Sequence, residues 1–296
     1  MSWQKWCQIE WVDKIIELWG DFMDSKKSKQ VYEILLMPIE FNSEKYKDGN
    51  VYKDYKIEEQ KIFKYGSVIK STQSYYPKYG NVRYEFHPDP DMTDFACGFY
   101  EIIYDDILEG EKKIVDKDGN LSNRQFAGDT MNGFNYIANR IPQAGETTKK
   151  RTPQNKWPDY LQKYHIQYHC LANFWLLPME IGRKNKKNLS KGYYYGAQDY
   201  MDKFLMQVKD VWSDYVQYRY FQKIKNFEKF AKINHLVGSY IYSDMSVFEY
   251  SEKTPEEIIC FLQDRLRLRA TAISKSEQYC DKLYEYFGNC GLIKKH

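Results

Sequence analysis

Ile259, Leu266, Ile273, Cys280 and Phe287 recur every seven residues near the end of the chain, with Leu262 and Leu283 between them. Seven residues make almost two helical turns, so these side chains fall on one stripe of one helix. The start is equally well marked. Thr254-Pro255-Glu256-Glu257 supplies a capping hydroxyl, a proline at the first helical position and a glutamate three residues after the cap. Gly288 supplies a stop. The spacing therefore predicts one continuous helix over 254–287 that buries its stripe. Arg269 and Ser276 interrupt the second seam position, which favours packing within the molecule over an extended coiled coil.

A chain of 296 residues exceeds the usual size of one domain. It is read as a single large domain over 1–296, or as an α+β part (1–125) packed against a helical part (126–296). Hydrophobic residues make up 43% of it, enough for a sizeable core, while a net charge of +3 is too small to imply a polyanionic partner by itself. The 28 tyrosines fit a nucleic-acid surface with interleaved rings, and equally the codon usage of an AT-rich genome. The first twenty residues lack a long apolar core, and no run of about 18 apolar residues occurs anywhere, so no signal peptide and no membrane span are expected. Six scattered cysteines without a CxxC pair suit reduced thiols. The expected compartment is the cytoplasm.

The fold class expected is α+β and mainly helical. A small, mostly antiparallel sheet at about 80–125 would pack on helices that include the long C-terminal one. Helices are expected over the first twenty residues, where Trp3, Trp6, Ile15 and Trp19 mark a face, and from Ser28 to just before Pro38. Residues 40–75 form an excursion with short strands. Strands are expected at Val82–Phe86 and Gly98–Tyr104, with a hairpin turn at Asp118-Gly119. Asp129 or Thr130 caps a helix whose face carries Phe134, Ile137, Ala138 and Ile141. A further helix spans Asp159–Ala172, Asn173–Pro178 is a short buried strand, and helix resumes from Asp199 to Phe230.

Several constellations carry candidate chemistry. His165 and His169 sit one helical turn apart and could face a metal ion, but Cys170 falls on another face and Glu180 or Asp159 could serve as a third ligand only by folding back, so packed histidines are expected and no structural metal. His87-Pro88-Asp89-Pro90-Asp91 offers an imidazole and two carboxylates, or a plain surface turn. Asp116-Lys117-Asp118-Gly119-Asn120 begins like a calcium loop but lacks its later glycine and glutamate. No Walker loop, GxGxxG, GxSxG or kinase signature is present.

The segment Ile181–Gly192 holds Arg183, Lys184, Lys186, Lys187 and Lys191 with no acidic residue, and Tyr193, Tyr194 and Tyr195 follow at once. Cations beside stackable rings suit phosphate backbones and unpaired bases. A solvated connecting loop has the same composition.

The blocks FAGDTMNGF, HCLANFWLLP and QDYMDKFL, with the Asn-rich basic segment between the last two, resemble a family of bacterial proteins. Its members carry GDTMNS-like, HxxGNF-like and DYWDL-like blocks in this order. The resemblance covers residues 124–210 and implies no particular activity. HCLANFWLLP and the asparagines after it are also similar to the distal part of HNH nucleases, although the Asp-His pair of that family is missing. Matched blocks would gather Asp129, Asn132, His169, Asn173 and Asn188 around one site, where a divalent metal is conceivable. The resulting expectation is a cytoplasmic protein that engages nucleic acid, in the setting of bacterial phage defence or counter-defence. A protein-interaction or inhibitor module without catalysis is the alternative. An enzyme acting on a phosphorylated small molecule is the third reading.

Overall fold

The computed structural model describes residues 26–41, 69–71, 91, 94–109, 126–132, 158–178, 201–216, 218–248 and 254–293. Its elements run α1 (Lys26–Leu35), β1 (Ile39–Phe41), β2 (Ile69–Ser71), α2 (Asp94–Ile103), α3 (Asp105–Leu108), β3 (Phe126–Thr130), α4 (Asp159–Gln167) and a 3-10 turn (Leu171–Asn173). Then follow β4 (Phe174–Pro178), α5 (Met201–Asp210), α6 (Trp212–Tyr215), α7 (Arg219–Ile224), α8 (Phe227–Ile233), α9 (Pro255–Ser274) and α10 (Cys280–Asn289). The class is α+β and mainly helical. Among the described residues, no helix is long and apolar enough to cross a membrane.

α9 begins as its sequence dictates. Glu257 N–H donates to Thr254 Oγ1 at 3.3 Å, and Thr254 N–H donates to the Glu257 carboxylate at 2.8 Å. The helix does not run on to Phe287. It stops at Ser274, and α10 starts again at Cys280 after a turn. The helix closes in a tighter turn: Lys275 N–H still donates to Thr271 O at 3.0 Å, but Ser276 N–H donates to Ile273 O, three residues back, at 3.1 Å. The stripe survives this interruption. Ile259, Leu266, Ile273 and Phe287 are fully buried and Cys280 is half-buried.

α9 packs on α1, α4 and the 3-10 turn, and α10 packs on α1 and α2. The expected strand Gly98–Tyr104 is instead the end of α2. Phe95, Ala96, Phe99, Tyr100 and Ile103 are all buried at helical spacing, and that period outweighs the strand preference of their aromatic and branched side chains. Gly98 marks where α2 meets α10. A Cβ there would lie 2.3 Å from the Tyr286 hydroxyl, which donates to Phe95 O at 2.9 Å.

Most of the range 80–125, where the small sheet is expected, lies outside the described residues. Two described sheets lie on either side of that range: β1 pairs in parallel with β2, and β3 pairs antiparallel with β4. Phe126 stands opposite Pro178, Asp129 opposite Trp175, and Thr130 opposite Phe174. Asp129 and Thr130 therefore end a strand and do not cap a helix. The expected strand Asn173–Pro178 is found as β4, buried along its whole length. The first expected helix, Val82–Phe86, the hairpin at Asp118-Gly119 and the face Phe134–Ile141 lie outside the described residues. Around β4 the core is largely aromatic. Trp175 meets Phe204 edge-on at 5.6 Å, and Phe221 stacks on Phe230 at 5.7 Å.

Candidate functional site

The three sequence blocks converge on β3, β4 and α5. Beyond the end of β3, Asn132 turns back onto the 3-10 turn. Its backbone N–H and its side-chain Nδ2 both donate to Asn173 Oδ1, at 3.2 and 3.1 Å, and Nδ2 also donates to the Tyr240 hydroxyl at 2.7 Å. Asn173 Nδ2 donates to Tyr168 O at 2.7 Å and, more weakly, to Asn132 O at 3.4 Å. Two amides expected near a reacting centre are thus a cross-brace. Asn173 is wholly enclosed, with its donors and its acceptor committed to the fold. Two residues further, on β4, Trp175 brings in Phe204 of the third block.

A second pairing joins two motifs that lie far apart in the chain. Asp91, from the His-Pro-Asp-Pro-Asp run, and Asp129 are both buried and both meet Thr130. Thr130 Oγ1 donates to Asp91 Oδ2 at 2.9 Å, and Thr130 N–H donates to Asp129 Oδ1 at 2.8 Å. The Tyr100 hydroxyl donates to Asp91 O at 2.8 Å. Burial first, then the Asp91 carboxylate, holds the Tyr100 phenol well above its ordinary range. Gly128 makes this approach sterically feasible: a Cβ there would lie 2.2 Å from Asp91 O and 2.5 Å from the Tyr100 ring. The rest of that run, His87 to Pro90, lies outside the described residues.

The two histidines do not share a helix. α4 ends at Gln167, so His169 falls beyond it in a bend. Its ring lies 3.8 Å from that of Tyr168, centroid to centroid, and its carbonyl accepts from Ile39 N–H at 2.7 Å. The His165 side chain is outside the described residues. Among the described residues, no three His, Cys, Asp or Glu side chains group as a metal site would require. Arg183, Lys184, Lys186, Lys187, Asn188, Lys191, Tyr193, Tyr194 and Tyr195 also lie outside them. The described residues that bracket this segment, Pro178 and Met201, are buried.

Arg269 is the residue the sequence reading missed. Taken there as a break in a seam, it is fully buried. Its Nη1 donates to Ala172 O at 2.7 Å and Phe174 O at 2.9 Å, and its Nε donates to Asn234 O at 2.8 Å. It thereby gathers the carbonyls of the block that holds Asn173. Asn234 is the other half of this hub, accepting from the Tyr104 hydroxyl at 2.7 Å and donating to the Tyr220 hydroxyl at 3.1 Å. Burial pushes Tyr104 and the Cys170 thiol up to about 12, so both are neutral at pH 7. The signal was present in the sequence: a charge at an apolar seam position demands an acceptor inside the fold. Comparisons with family models, with curated proteins and with solved structures find no match for this chain.

Proposed function

We propose that the chain engages nucleic acid through the segment 181–192, with Tyr193, Tyr194 and Tyr195 available for stacking on bases. One observation carries this reading: five cations without an acid occupy a segment whose bracketing residues, Pro178 of β4 and Met201 of α5, are both buried. A segment tied at both ends loses less freedom on meeting a polyanion than a free tail does. The likeness of the surrounding blocks to the distal part of HNH nucleases points the same way. Within this reading Asn132 and Asn173 shape the site, and Asp129 with Asp91 supplies its carboxylates.

The test is a salt titration against single-stranded and duplex DNA and RNA. Each phosphate neutralised by Lys or Arg releases condensed counterions, so affinity must fall as salt rises. Replacing Arg183, Lys184, Lys186 and Lys187 by Ala lowers affinity for every sequence and flattens the salt dependence. Thermal melting stays almost unchanged. No binding by the parent protein at low salt, or superimposable curves for the two proteins, refutes the reading. Strand cleavage that requires added magnesium would extend it from binding to catalysis.

A further inference from the structure

We draw no further inference here: the strongest candidate, the pair of buried carboxylates Asp91 and Asp129 that meet at Thr130 at the end of β3, belongs to the site already described, and among the described residues no third metal-ligating side chain joins it.

Discussion

Asn173 Oδ1 receives two hydrogen bonds from a single residue, the backbone and side-chain N–H groups of Asn132, at 3.2 and 3.1 Å. This one oxygen fixes the end of β3 against the turn that opens β4. Asn173→Ala leaves the Asn132 donors and Tyr168 O without their partner in a fully enclosed setting. The expected cost is about 3 kcal/mol, because several buried groups lose a bond at once. Asn173→Asp costs a similar amount, since a carboxylate cannot donate to Tyr168 O. Urea denaturation of both variants checks this, and a loss under 1 kcal/mol in each would show that the brace is dispensable.

The buried stripe supplies a second expectation. Ile273 is completely enclosed at the last turn of α9, one residue before the helix stops. Ile273→Ala should cost roughly 2–5 kcal/mol, the range for a large aliphatic side chain that leaves a cavity. The break at 275–279 makes the upper half of that range less accessible, because a helix end can settle into the space more readily than a helix middle. Denaturant midpoints of the variant and the parent decide it.

These two cases show what was legible in the sequence. Seven-residue spacing identified Ile259, Leu266, Ile273 and Phe287 as buried, yet it could not say whether the backbone between them stays helical. The helix instead closes where Ser276 N–H bonds Ile273 O, three residues back, a turn that the spacing of the apolar residues does not announce. Gly98–Tyr104 was misread because its aromatic residues have strand preference, while the contacts of α2 with α10 were invisible along the chain. β4 was legible from its apolar run. Its partner was not, since Asp129-Thr130 is as good a helix cap as a strand end until Phe174 stands opposite Thr130. The same holds for the site. Asp91 and Asp129 were each noticed, but only the register of β3 brings both to Thr130.

Gly98 offers a sharper test of the α2–α10 contact. Gly98→Ala places a methyl group 2.3 Å from the Tyr286 hydroxyl, so Tyr286 must move and give up its bond to Phe95 O. Overpacking of this kind costs about 1–3 kcal/mol. The helix preference of alanine over glycine returns somewhat less than 1 kcal/mol of that. Combining Gly98→Ala with Tyr286→Leu should recover part of the loss, because the clashing hydroxyl is gone. Strictly additive losses in the double variant would mean that the two residues do not meet.

The acid side of the stability curve belongs in part to His235. Burial, and after it the charge of Arg269, pulls its pKa down from about 6.5 to about 3. Above pH 6.5 neither the folded nor the unfolded chain binds this proton, so the group contributes no slope. Between pH 6.5 and 3 the unfolded chain takes it up and the folded chain does not. Stability therefore falls as pH falls across that window, at up to about 1.4 kcal/mol per pH unit from this residue. Carboxylates that titrate near pH 4 add their own slope, so the measurement has to be a difference. His235→Asn removes the titration and suits the left-handed backbone at this position, which asparagine tolerates. Subtracting its urea-derived stability curve from that of the parent between pH 7 and 5 should expose a loss confined to the parent. Parallel curves over those two units would mean that the His235 ring takes up its proton in the folded state as readily as in the unfolded one.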